Sequence, residues 1–141
     1  MQLNSLLIHL YSKIKTNPFY FIHLPLFVYW LFLLTVTSIP IAIRPKLFNA
    51  QDKFEHFTAY FILAFLLRLS FQFQKKFRLK TGSVQLITSV IVLLYAAFDE
   101  LHQLLIPGRY CDLYDWLFDI GGGFAGLLLS SFMIKKIDGS A

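Results

Sequence analysis

Three short runs of the chain carry residues whose types and spacing suit proton transfer or ligand binding. In the first, Asp52, His56 and Tyr60 recur at i, i+4 and i+8, with Lys53 one position off that stripe, so on a helix they share a face. In the second, AAFDELHQLL, Asp99 and Gln103 stand at i and i+4, Glu100 and Gln103 at i and i+3, with His102 between them. The third holds Asp112, Asp115 and Asp119 at i, i+3 and i+7, and its stripe continues through Gly122 and Gly126. A histidine among carboxylates can exchange protons, and Lys53 and Arg109 can hold an anion such as a phosphate. His56, His102 and the carboxylates could also serve a divalent metal. No H-E-x-x-H or comparably specific spacing is present, however, so no metal ligand is assigned and no cofactor is named. A serine or cysteine nucleophile is disfavoured: there is no G-x-S-x-G run, and the single cysteine, Cys111, has no partnered base in sequence.

The elements that must position these residues are membrane spans. Of 141 residues, 57% are hydrophobic and 15% charged, against roughly 25% charged in a soluble domain. Sixteen Phe, seven Tyr and two Trp are also too much aromatic surface for a disordered chain. Twenty-eight residues without Lys, Arg, Asp or Glu lie between Lys15 and Arg44, longer than the 7–15 or so apolar residues of a secretory leader. About 20 suffice to span. Further apolar runs follow from Phe54, from Thr81 and from Trp116. They lack the ~10-residue alternation of a barrel strand. The expected fold is therefore all-α: a polytopic four-helix transmembrane bundle, with helices at about 19–43, 54–73, 81–101 and 114–134. The domain covers residues 18–136, after an amphipathic interfacial segment (1–17) and before a short tail (137–141). Arg68, near the end of the second span, is expected to snorkel to the interface.

The charge of +5 reads as a topology signal rather than a nucleic-acid surface. Lys13, Lys15, Arg68, Lys75, Lys76, Arg78, Lys80, Lys135 and Lys136, nine of the thirteen basic residues, fall on the side shared by both termini and the second loop. Arg44, Lys46, Lys53, Arg109 and seven of the eight acids fall on the other. By the positive-inside rule both termini are cytoplasmic, and the polar residues gather at the outer end of the bundle in a cytoplasmic (inner) membrane.

Some of these features have plainer roles. Asp52 and Asp112 sit where helix caps are common, Gly122 and Gly126 have the spacing of a close helix contact, and Lys75 to Lys80 is an anchor. His9 and His23 are set aside as isolated histidines. Ionisable residues converging near membrane depth nonetheless mark a site, and two helix N-termini pointing outward favour an anion there.

The run DKFEHFTAYFILAFLL from Asp52, with YAAFDELHQLLIPGRYCDLYDWLFDIGGGFAG from Tyr95, resembles the VanZ-like family of small bacterial membrane proteins over roughly residues 25 to 134. The resemblance rests on Asp-Lys-x-x-His at Asp52, on Asp-Glu-x-x-Gln at Asp99, and on Pro107-Gly108-Arg109 followed by Asp115. Where this chain has Asp119 the family's pattern has Asn. The resemblance implies a multi-pass cell-envelope protein, in a family named for resistance to a lipid-bearing glycopeptide antibiotic. It points to phospholipids or lipid-linked precursors as partners. Three readings follow. The chain is an enzyme acting on a lipid head group, with His56, Glu100 and Asp115 catalytic and Lys53, Asp52, Asp99, Gln103, Arg109 and Asp119 binding substrate. Alternatively it is a non-catalytic binder that shields such a precursor or the antibiotic, or the cluster is a structural polar network.

Overall fold

The structure, a computed structural model, describes residue 9 and residues 11–40, 48, 50–77 and 79–138. Among these it is all-helical. Helix α1 (Phe19–Thr37) opens with a π turn, Phe19–His23, and continues as an α-helix over Leu24–Thr37. Pro25 has no amide to offer the preceding turn, and the backbone widens there: the Leu24 amide bonds Phe19 O, five residues back. Helices α2 (Gln51–Phe73), α3 (Thr81–Gln103) and α4 (Leu113–Asp138) follow. All four are long and apolar enough to cross a membrane.

The helix boundaries differ from those read off the apolar runs. Helix α1 stops at Thr37 rather than running to residue 43. Ser38 and Ile39 fold back on Leu34, Thr35 and Val36, and Pro40 disfavours helix at the residue before it. Residues 41–43, like Arg44 and Lys46, lie outside the described residues. The other helices reach further than expected, α2 from Gln51, α3 to Gln103 and α4 from Leu113 to Asp138, because their polar terminal turns do not count as apolar sequence yet hydrogen-bond as helix. Of the expected N-terminal segment, residues 11–16 are helical. Ile14 packs on Ile22, Leu69 and Ile134. Residues 1–8 and 10, and residues 139–141 of the tail, lie outside the described residues.

Packing follows from where the chain is thin. Helices α2 and α4 run parallel and approach closely along Gly122 and Gly126: a Cβ on Gly122 would run into the Phe57 carbonyl, whose carbon lies 2.8 Å away, and one on Gly126 would meet that of Phe61, with its carbon at 3.0 Å. This is small-residue packing of a kind common between membrane helices. Helices α1 and α3 run antiparallel to that pair, and Leu26, Leu33, Tyr60, Leu63, Ala64, Leu67, Val92 and Ala96 form the core between them. Tyr29 Oη donates to Ala59 O at 2.9 Å, and the rings of Trp30 and Tyr95 meet edge to face. Large side chains such as Phe27, Leu31, Leu86, Leu94 and Phe132 stand exposed around the outside, which suits hydrocarbon. Arg68 does not snorkel. It is 1% exposed, faces the bundle interior and donates to Gln72 Oε1 at 2.8 Å, since its stripe on α2 is that of Ala64 and the packed core.

Candidate functional site

The antiparallel arrangement brings the start of α2, the end of α3, the start of α4 and the end of α1 to one end of the bundle, and the polar residues meet there. The turn between α3 and α4 sets their register. Arg109 N bonds Ile106 O at 3.1 Å across Pro107-Gly108, and Gly108 has φ 78, a turn that favours Pro then Gly at its centre. It returns the chain so that Asp112 begins α4, with Asp112 Oδ1 accepting from the Tyr114 amide at 2.8 Å. Asp112 is thus a cap, the plainer role its position suggested.

Lys53 Nζ donates to Asp112 Oδ2 and to Asp115 Oδ1, both at 2.6 Å, tying α2 to the first turn of α4. Asp52 lies 3.7 Å from the same ammonium and is exposed at the rim. Lys53 also holds the Asp112 carboxyl below the usual carboxylate range. Deeper in, His56 Nδ1 and Asp119 Oδ1 are 2.9 Å apart, with Asp119 fully buried. The His56 ring also faces Glu100 Oε1 at 4.0 Å from Nδ1 and Asp115 Oδ2 at 3.8 Å from Nε2. Glu100 Oε2 accepts the Asp112 amide at 2.8 Å.

Arg109 turns toward α1. Its Nε donates to Ile39 O at 3.0 Å, one terminal nitrogen to Val36 O at 3.3 Å, and the other to Gln103 Oε1 at 3.1 Å. The guanidinium therefore clamps the end of α1 to α3, a role sequence reasoning missed because those acceptors are backbone carbonyls with no side-chain signature. Asp99 and Gln103 are buried beside it; His102 is half-buried, its ring stacked on Phe98. Among the described residues, Glu100 Oε1, Asp119 Oδ2, Asp99 Oδ1, Gln103 Nε2 and Tyr60 Oη are buried without a hydrogen-bond partner.

Beside this cluster a cavity of about 520 Å³ opens between α1 and α2, within the size range of ligand pockets. Phe32, Leu33, Val36 and Ile62 form much of its apolar wall, and His56, Asp99 and Arg109 line it as well. No sequence period signalled this groove, because it is made by the faces that two successive helices present to each other.

Four apolar helices with an ionisable cluster gathered at one end define a multi-pass, integral membrane protein. The chain matches VanZ/LLP1 over residues 2–134 and belongs to that family. No curated protein and no solved structure matches it.

Proposed function

We propose that the chain lies in the cytoplasmic membrane with both termini on the cytoplasmic side, and that its polar end binds the phosphate-containing head group of a lipid or lipid-linked cell-envelope precursor at the outer leaflet. The groove between α1 and α2 carries this reading. It offers apolar walls beside His56, Asp99 and Arg109, a combination suited to an amphiphile rather than to a soluble metabolite. The Arg109 guanidinium and the N-terminus of α2 favour an anion, and the basic residues at the opposite end support the orientation.

Native mass spectrometry of the detergent-purified chain tests this, comparing a phosphate-bearing lipid with the diacylglycerol of the same chains. The expected result is an adduct with the phosphate lipid that weakens on Arg109→Gln and on Ile62→Trp, which fills the groove away from the polar cluster. Equal adducts with both lipids in every variant would refute it.

A second reading, that the bound head group is also modified, is favoured by the buried His56–Asp119 pair with Glu100 beside it, a set able to accept and return a proton. Here wild type changes the head group and Glu100→Gln of matched stability does not. If such variants lose stability in proportion to binding, the cluster is a packing network instead.

A further inference from the structure

Among the described residues the polar end holds more carboxylate than cation. Lys53 is engaged by Asp112 and Asp115, and behind that ion pair His56, Glu100 and Asp119, all buried, bring one donor atom each to within 4.8 Å of one another. Each acid here has one oxygen committed and one not. Glu100 Oε2 holds the Asp112 amide and Asp119 Oδ1 holds His56, while Glu100 Oε1 and Asp119 Oδ2 have no partner among the described residues. A buried polar atom left unpaired costs about 1–3 kcal/mol, more when charged, so two such oxygens on the acids that flank one imidazole call for a positive ligand.

We infer that His56 Nδ1, Glu100 and Asp119 form a binding site for a divalent cation. Donors about 2.1 Å from one ion stand about 3 Å apart at right angles and about 4.2 Å apart when opposite. An ion seated here would replace the proton that His56 Nδ1 and Asp119 Oδ1 share at 2.9 Å, and with Glu100 Oε1 4.0 Å from the same nitrogen the separations span that range. One imidazole and two carboxylates form a mixed donor set suited to Mn²⁺ or Zn²⁺. The other ring nitrogen, Nε2, faces Asp115 Oδ2 at 3.8 Å. Lys53 anchors that carboxylate, and a shift of under about 1 Å would let it accept the Nε2 proton and orient the ligand histidine as outer carboxylates do in metal sites. His56 also lines the groove, so an ion held on this ring would sit beside the guest. The acid-rich site would then present positive charge to a phosphate. This last step rests on the proposed head-group reading, whereas the cation site itself does not.

The test uses the full chain in detergent, stripped with chelator and free of added lipid. It is titrated with Mn²⁺, free ion being read from its paramagnetic resonance signal, and in parallel with Zn²⁺, bound ion being counted by elemental mass spectrometry after desalting. The expected result is one ion per chain, with affinity falling at least about tenfold in Asp119→Asn and in Glu100→Gln while circular dichroism keeps the helical signal. Uptake of neither ion by folded wild type overturns the inference whatever the variants do, and so does uptake that both folded variants leave unchanged. Loss of lipid binding with ion uptake intact would instead count against the head-group reading alone.

Discussion

Replacing Gly122 with Ala tests the helix contact on which the site depends. The new Cβ would collide with the Phe57 carbonyl oxygen and lie 2.8 Å from its carbon and 3.0 Å from its Cα. Comfortable carbon contacts begin near 3.5 Å, so α2 and α4 must separate by roughly 0.7 Å or more. The obstacle is backbone and cannot swing aside. Overpacking of this kind costs about 1–3 kcal/mol, offset by up to about 1 kcal/mol from replacing glycine within a helix. Gly82→Ala in α3 separates the two effects, because a Cβ there meets nothing within 4 Å. The two variants should differ by about 1–3 kcal/mol in unfolding by SDS titration, with Gly122→Ala the less stable. His56 precedes Phe57, and Asp119 lies three residues before Gly122, so the same separation would stretch their 2.9 Å contact beyond hydrogen-bond range. Equal stability of the two variants would refute the close approach of α2 and α4.

Other perturbations probe the ties around the site. Lys53→Met leaves Asp112 and Asp115 facing each other without their shared cation, and should destabilise by about 1–3 kcal/mol. Adding Asp115→Asn should return part of that loss, a coupling read by a double-mutant cycle. Since Lys53 holds the Asp112 carboxyl down, that carboxylate stabilises the fold fully above its unfolded value of about 3.9. The contribution fades as pH falls through the lower folded value, so the stability gap between wild type and Asp112→Asn should narrow on acidification below about pH 4. Arg109→Lys keeps the charge but not the fork that reaches Val36, Ile39 and Gln103 together. Hydrogen exchange should then speed up at residues 36–39 and remain unchanged around His23.

The sequence is readable wherever one physical signal dominates. Hydrocarbon demands long apolar helices, so the four spans stand out; their ends do not, because Asp52, Gln103 and Leu113 belong to terminal turns that are helical but not apolar. The i, i+4 stripes correctly brought His56 and Tyr60, Asp99 and Gln103, and Asp115 and Asp119 inward. The glycines of α4 behave as their spacing suggested, and Pro107-Gly108 makes the turn its residues favour. Pairings between helices had no such signal. That Lys53 meets Asp112, that Glu100 takes the Asp112 amide and that Arg109 grips the end of α1 depend on the register between helices, which spacing within a helix does not report. Arg68 shows the same limit. Near a span's end a lone arginine reads as a snorkelling side chain, and only the packing of its stripe reveals that it points inward.

The proposed function turns on whether a phosphate-bearing lipid occupies the groove between α1 and α2. The most direct measurement is photo-crosslinking in vesicles containing phosphate-bearing lipid and diacylglycerol, with a photoreactive amino acid at Ile62 on the groove wall or, as a control, at Leu94 on the exposed face of α3. Mass spectrometry of the crosslinked lipid is expected to show the phosphate-bearing species enriched at position 62 over position 94, with the enrichment lost in Arg109→Gln. The same lipid profile at both positions, unaffected by Arg109→Gln, would contradict the account.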